Sequence, residues 1–196
     1  MSSKRRAKRA SGDARKAIVN AAIRVVNDPK RTLDARTVAN EADRSLGTLT
    51  FHFKDGGIRE LREAVAEEGF KMVLETVRNV PQTPSDPNAT LRRLMATYVG
   101  FAREHSRHYR LMHSEEWGDE VMARRVEVRS IVRAHLEGLE AAGSIRPACV
   151  GPFVHTGAAL LHGLAIHYLD GLIGEKQLPG LIDEAIDLFL HGLRPE

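Results

Sequence analysis

The sequence lacks most of the features that secreted proteins and membrane proteins depend on. It has one cysteine in 196 residues, so an intramolecular disulfide is impossible and a reducing cytoplasm is the expected setting. It has no run of about 18 apolar residues for a membrane-spanning helix, and no apolar signal core follows the basic N-terminus. We therefore expect a cytoplasmic protein with no membrane partner.

Catalytic and cofactor-binding motifs are missing as well. The chain contains no HExxH or CxxC metal motif, no nucleophile elbow, no phosphate-cradling glycine loop and no dinucleotide fingerprint. Aromatic residues make up only 5% of the chain, and no segment shows the sustained alternation of a half-buried strand. The composition favours helix over sheet, and we predict an all-α protein that is not an enzyme and needs no cofactor or metal.

The stretch from Leu33 to Lys54 predicts two short helices joined by a tight turn. Asp34 is a suitable N-cap for the first helix and Ser45 for the second. Asp43 lies between them, and aspartate is one of the few non-glycine residues that enters the left-handed region at low cost. The predicted inward residues are Val38, Ala39 and Ala42 on the first helix and Leu49 and Phe53 on the second. This pattern is typical of a helix-turn-helix, whose second helix can lie in a DNA major groove.

A helix from about residue 13 to Asn27 is expected to complete this head. Its apolar face would pack against the helix-turn-helix, and it consists of Ile18, Ala21, Ala22, Val25 and Val26. Residues 1–12 are expected to form a flexible basic arm that carries Lys4, Arg5, Arg6, Lys8 and Arg9. Two interpretations of the arm stay open: a solvated tail, or a segment that neutralises DNA phosphates.

Several positions in this head resemble the DNA-binding signature of TetR-family transcriptional regulators. The matching residues are Val38, Ala39, Ala42, Ser45, Gly47, Thr48, Leu49, His52 and Phe53. The chain departs from the family pattern at Asp43, where the family usually has glycine, and at Arg44, where it has a small apolar residue. It also departs at Thr50, which replaces a phosphate-contacting tyrosine, and at Gly56, which replaces a lysine.

The resemblance implies a DNA interface on the second helix of the motif and beside it. Together with helical geometry, it predicts nine DNA-binding residues: Arg36, Ser45, Leu46, Gly47, Thr48, Thr50, Phe51, His52 and Lys54. For Phe51, packing against the fourth helix is the alternative. Arg36 can reach a phosphate or a guanine edge, and Lys54 is a simple phosphate ligand.

The rest of the chain predicts a helical C-terminal domain. A helix from about 58 to 79 would connect the head, at 13–69, to a ligand-binding and dimerisation domain at 70–196, with a proline-rich loop at 81–87. Two apolar C-terminal helices, Phe153 to about Leu172 and Leu178 to Leu193, carry more apolar surface than one small core requires. We expect them to form a homodimer, as TetR-like proteins do, and therefore a near-palindromic double-stranded DNA operator.

The middle helices hold most of the aromatic and soft side chains of the C-terminal domain. Such a set is typical of a largely apolar small-molecule pocket, and TetR-like proteins bind an inducer in the equivalent region. The predicted ligand-binding residues are Tyr98, Phe101, His105, Tyr109, Met112, Trp117 and His162. Ordinary core packing is the alternative for each of them.

These observations favour a dimeric, ligand-responsive DNA-binding regulator, and a repressor in particular. A second hypothesis is a helical small-molecule or metal-sensing protein with a degenerate DNA-binding head, which the departures at Asp43, Arg44, Thr50 and Gly56 motivate. For the metal-sensing form, His105 and His108 could bind one ion together with His162. A third is an enzyme built on a helical bundle, for which the sequence offers no motif.

Overall fold

The computed structural model describes residues 2–81, 83, 86–143, 145–146, 148 and 150–193, with side chains except for 2–10, 87–88 and 189–193. Every regular element in this part of the chain is an α-helix, which confirms the predicted all-α class. The helices are α1 (Ser2–Asn27), α2 (Ala35–Glu41), α3 (Leu46–His52), α4 (Gly57–Arg78), α5 (Pro87–Glu104), α6 (Ser106–Met112), α7 (Asp119–Ala141), α8 (Val150–Leu169) and α9 (Leu178–Leu193).

The first helix begins earlier than the sequence suggested. α1 starts at Ser2 and not near Asp13, so the backbone of residues 2–12 is helical. The composition of this stretch explains the difference, because lysine, arginine and alanine are all good helix formers. The basic side chains of the predicted arm lie outside the described residues, and their contact with DNA stays a prediction.

The chain divides into two compact units. The first unit comprises Met1–Gly69 and Arg107–Val121, and the second comprises Phe70–Ser106 and Met122–Glu196. The helices α4, α6 and α7 each contribute residues to both units. The predicted domains at 13–69 and 70–196 stay a prediction; by its contacts, the segment Arg107–Val121 lies with the head and not with the C-terminal helices.

The core of the first unit is built on α1. This helix packs on α2 and α3, and its predicted apolar face is buried. Four of the predicted inward residues of the helix-turn-helix, Val38, Ala39, Leu49 and Phe53, are buried as well, and the fifth, Ala42, is partly buried. The predicted three-helix core is thus confirmed, and α4 adds Leu61 and Val65 to the buried set.

The core of the second unit joins α5, α7, α8 and α9. Its buried residues include Val99 from α5, Leu136 from α7, Phe153 from α8 and Ile186 from α9. α5 packs on both α8 and α9. Arg92 on α5 also pairs with Asp183 and Asp187 on the exposed side of α9. The second unit is therefore held by one apolar core with ion pairs at its edge.

The most apolar helix, α8, ends three residues before the predicted position. Gly171 has a φ of 75°, and its amide donates to the Tyr168 carbonyl while the Leu172 amide donates to the His167 carbonyl. A glycine in the left-handed region is a common helix stop. Along the described part of the chain, neither α8 nor any other helix has the length and hydrophobicity required to cross a membrane.

Candidate nucleic-acid interface

The helix α3 is fixed by a cap and by its buried side. Ser45 precedes it in an extended conformation, and its Oγ accepts a hydrogen bond from the Thr48 amide at 3.1 Å. Leu49 and Phe53 anchor the helix in the core of the first unit. The side of α3 that lies opposite Leu49 is therefore held in a defined orientation and presented to solvent.

The nine predicted DNA contacts lie on α2, in the turn that follows it, on α3 and just after α3. Thr48 and His52 are partly buried. The other seven are exposed: Arg36, Ser45, Leu46, Gly47, Thr50, Phe51 and Lys54. The structure thus brings all nine to two helices that pack on each other, and their contact with DNA stays a prediction.

Phe51 is the most unusual residue of this surface. Its side chain is 68% exposed, so it is not buried against α4. The ring meets the edge of His52, with 5.2 Å between the ring centroids. A large apolar ring in water forgoes the stabilisation that burial provides, so its exposure favours a role in contact with a partner.

The two threonines of α3 have defined hydroxyl partners. Thr48 Oγ1 lies 2.9 Å from Ser45 Oγ. Thr50 Oγ1 donates its only proton to the Leu46 carbonyl at 3.0 Å, so in this arrangement the hydroxyl can only accept from another partner. An acceptor suits the amino groups of adenine and cytosine, whereas a phosphate requires a donor.

The turn between α2 and α3 forms without the glycine that the TetR pattern usually has at this position. Asp43 adopts a φ of 51°, and its amide donates to the Asn40 carbonyl at 3.1 Å. The Arg44 amide donates to the Ala39 carbonyl at 3.0 Å. These two bonds satisfy the last carbonyls of α2, and the expected left-handed conformation of Asp43 is confirmed.

The departure at Gly56 also has a structural reason. A Cβ at this position would lie 2.9 Å from the Glu60 Cβ and 3.3 Å from the Glu60 amide nitrogen. Such distances require the first turn of α4 to shift. A lysine at residue 56 would therefore disturb the start of α4.

The helix α2 is held in position by a charged cluster, which the sequence did not predict. Glu41 accepts hydrogen bonds from Arg24 and Arg31, each at 2.6 Å. These bonds, from Arg24 first and then Arg31, lower the pKa of the Glu41 carboxyl. The pattern has no helical spacing because Arg31 lies in a loop, so only the folded chain reveals it.

The seven predicted ligand-binding residues are divided between the two units. Tyr109, Met112 and Trp117 belong to the first unit. The second unit holds Tyr98, Phe101, His105 and His162. Their role in ligand binding stays a prediction.

The first-unit residues differ in burial, and Trp117 is only partly buried. Tyr109 and Met112 are fully buried, as is His108, which the sequence suggested only as a metal ligand. His108 Nε2 lies 2.7 Å from the Val65 carbonyl, and because a carbonyl can only accept, Nε2 carries the proton. A Cβ at Gly69 would overlap the Met112 sulfur and lie 2.8 Å from His108 Nε2, so this contact requires glycine.

The second-unit residues are less tightly enclosed. Phe101 is buried, whereas Tyr98, His105 and His162 are partly buried, and the rings of Phe101 and His105 lie 4.9 Å apart. Burial, and then the charge of Arg125, lowers the pKa of His162. His135 on α7 has a pKa lowered by burial, and its Nε2 is buried without a hydrogen-bond partner among the described residues.

A separate groove of about 420 Å³ in the second unit has a different character. It lies along α4 and α7, and most of its lining is charged: Lys71, Leu74, Glu75, Arg78, Asn79, Arg124 and Glu127. Arg78 and Arg124 both pair with Glu127, at 2.6 and 3.0 Å. None of the predicted ligand-binding residues lines this groove.

The family is decided by the second half of the chain. Residues 91–193 match the model of the tetracycline repressor-like C-terminal domain, which is more than half of the sequence. The chain belongs to the TetR family of transcriptional regulators. The resemblance seen in the helix-turn-helix and the match in the C-terminal half therefore agree.

Three solved structures share the fold over most of their length. A transcriptional regulator from Rhodococcus sp. RHA1 is 18% identical, with a TM-score of 0.73 and coverage of 93% of this chain and 98% of that chain. PfmR, a TetR-family regulator from Thermus thermophilus, is 20% identical, with a TM-score of 0.65 and coverage of 91% and 99%. A protein of unknown function from Rhodococcus sp. RHA1 is 24% identical, with a TM-score of 0.80 and coverage of 93% and 96%.

Membership of the TetR family bears on the competing hypotheses. TetR-family proteins are transcriptional regulators and not enzymes. For the metal-sensing hypothesis, no group of three or more His, Cys, Asp or Glu side chains among the described residues is placed to hold a metal ion. No curated protein matches the chain.

Proposed function

We propose that this TetR-family protein binds operator DNA specifically through the exposed side of α3 and the first turn of α2. The observation that carries this proposal is the exposed surface of α3, which presents Thr50 and Phe51 to solvent. It is held in place by the Ser45 cap and by Leu49 and Phe53 in the core. A rigid reading helix is what base discrimination requires, because each bidentate contact depends on fixed geometry.

The proposed contacts divide by chemistry. Arg36 and Lys54 are exposed cations for phosphates, and Arg36 also suits a guanine edge. Phe51 suits the methyl group of thymine, and Thr50 suits a base amino group. The remaining members of the nine, which allow close approach or add polar contacts, are Ser45, Leu46, Gly47, Thr48 and His52.

We further propose a homodimer formed by α8 and α9. One side of α8 faces the core through Phe153 and Val154, while Pro152, His155, Thr156 and Ala159 are exposed along another side. Leu188 on α9 is 75% exposed. Small and apolar surface on two adjacent helices suits a second copy of the same chain, and a twofold dimer would recognise a near-palindromic operator.

Repression released by a small molecule completes the proposal. The second-unit residues supply apolar surface with a few polar tips: Tyr98, Phe101, His105 and His162. Burial, and then the charge of Arg125, lowers the pKa of His162 and so disfavours its charged form. A largely apolar effector that binds the DNA-incompetent dimer more tightly would shift the population away from the operator. The three first-unit members of the predicted set remain part of this proposal.

The decisive experiment is a genomic DNA pull-down with the purified protein at two salt concentrations, followed by sequencing of the retained fragments. We expect a near-palindromic motif in the fragments that are retained at the higher salt. Contacts with phosphates weaken as salt rises, and specific binding adds contacts with bases that keep the protein on its operator. Retention at low salt alone, without a shared motif, would contradict specific recognition. The functions of the genes next to the enriched sites would indicate which small molecules to test as effectors.

A further inference from the structure

Arg44 is an exposed cation beside α3 that neither the family pattern nor the nine predicted contacts include. It is the third residue after the end of α2, and its amide donates to the Ala39 carbonyl in the hydrogen bond that closes the helix. In this kind of helix ending, the corresponding side chain is commonly apolar and packs back on the helix. Here it is an arginine, and it is exposed.

The guanidinium of Arg44 is held at the turn and not at a carboxylate. Its Nη1 donates to the carbonyl of Asp43 at 2.7 Å. Among the described residues, the ion pairs of this region join Arg24 and Arg31 to Glu41, and Arg44 takes no part in them. Its charge is therefore not neutralised by an acidic neighbour in the way that Glu41 neutralises the other two arginines.

Asp43 gives this placement an electrostatic reason. The left-handed conformation of the turn tolerates aspartate, but it leaves an exposed carboxylate on the surface that carries the proposed DNA contacts. A carboxylate at that position repels phosphate. An arginine at the next residue offsets the repulsion and adds a planar donor group that suits phosphate oxygens.

We propose that Arg44 contacts a backbone phosphate of bound DNA and that the Asp43–Arg44 pair replaces the uncharged turn of related proteins. The inference rests on the proposed DNA-binding function and adds a tenth contact to it. A phosphate contact carries no sequence information, so it strengthens binding to operator and to other DNA alike.

The test is fluorescence anisotropy with a labelled duplex from the pull-down and a shuffled duplex of the same length, between about 50 and 200 mM salt. The variants are Arg44→Ala, Arg44→Lys and the control Arg107→Ala, which removes an exposed arginine from α6. A dimer presents Arg44 twice, so Arg44→Ala should reduce the salt slope by about two. The dissociation constant of Arg44→Ala divided by that of the wild type should then fall roughly tenfold as the salt concentration rises fourfold.

The controls separate the possible outcomes. Arg44→Lys should keep the slope of the wild type, and Arg107→Ala should leave both slope and affinity unchanged. Wild-type slope and affinity in Arg44→Ala would overturn the proposal, and so would a loss confined to the operator duplex, because that pattern indicates a base contact. Equal binding of both duplexes by the wild type would contradict specific recognition but would leave the effect of Arg44→Ala on the slope measurable.

A second variant tests the Asp43–Arg44 pair by a change that should strengthen DNA binding and not weaken it. Asp43→Asn removes the carboxylate, and asparagine tolerates the left-handed φ of this position. It should bind both duplexes more tightly than the wild type, with far-UV helicity unchanged. Unchanged or weaker binding would place the turn away from the phosphates and overturn the proposal.

Discussion

The helices α3 and α8 carry the two surfaces on which the proposed function depends, and they are built differently. α3 has seven residues, a serine cap and one buried residue, Leu49. α8 has twenty residues, and five of them are buried at positions spread from its first turn to its last. Its exposed side carries small residues such as Ala159 in place of charged ones.

The difference shows two ways of presenting a contact surface. On α3, packing and contact fall to different residues, so an outward side chain can be changed without loss of the core. On α8, the inward and the outward residues alike include no Asp, Glu, Lys or Arg, and the helix suits burial on more than one side. A binding partner for α3 is therefore recognised by specific side chains, whereas a partner for α8 is recognised by shape and by the absence of charge.

Phe51 and Phe53 test whether packing and DNA contact fall to different residues in and just after α3. The largest expected effect, on the free energy of unfolding, is at Phe53. Phe53 is 0% exposed, so Phe53→Ala should lower the free energy of unfolding by about 3–5 kcal/mol, measured by urea denaturation. Phe51→Ala should change it by less than about 0.5 kcal/mol. The second variant should nevertheless weaken operator binding in the anisotropy assay.

The comparison fails if the two variants behave alike. Equal destabilisation would mean that Phe51 also holds the fold. Operator affinity of the wild type in Phe51→Ala would remove this residue from the interface, and circular dichroism should confirm that the variant keeps its helices.

A charge on α8 tests the second surface. Ala159→Glu places two carboxylates in the proposed dimer interface, where like charges cost several kcal/mol and should raise the dimer dissociation constant by at least about a hundredfold. Sedimentation velocity should then show monomers at micromolar concentration. Ala134→Glu on the exposed side of α7 is the matched control and should remain dimeric. A dimeric Ala159→Glu protein would exclude this side of α8 from the interface.

The smallest expected effect concerns histidines of the second unit. Burial lowers the pKa of His135 and His162 below the ordinary value near 6.5. Below that pH the unfolded chain binds more protons than the folded chain, so stability is full above about pH 6.5 and declines as the pH falls toward the lowered values. Urea denaturation at about pH 7.5 and 5.5 measures this loss, since carboxylates stay ionised across the range.

The double replacement of both histidines by glutamine should make the stability less dependent on pH over this window. Replacing the exposed His167 by glutamine is the control and should leave the dependence as it is in the wild type. An undiminished dependence in the double variant would assign the loss to other groups.

Much of the head could be predicted from neighbouring residues. The caps at Asp34 and Ser45 were expected from residue type, and the structure shows their side chains accepting from Thr37 and Thr48 as expected. The left-handed Asp43 and the buried side of α1 were predicted in the same way. The start of α1 was wrong because a basic stretch was interpreted by its charge and not by its helix propensity.

The amino-acid sequence by itself determined the helices, their caps and the family, because caps, turns and helical periodicity act over a few residues. Only the tertiary structure decided which distant residues meet. It placed Arg107–Val121 in the first unit, set His108 and Met112 against Gly69, and joined Arg62 to Glu115 across 53 positions. Burial and ion pairing depend on groups that are far apart in the chain, and no local pattern records where the chain will bring them together.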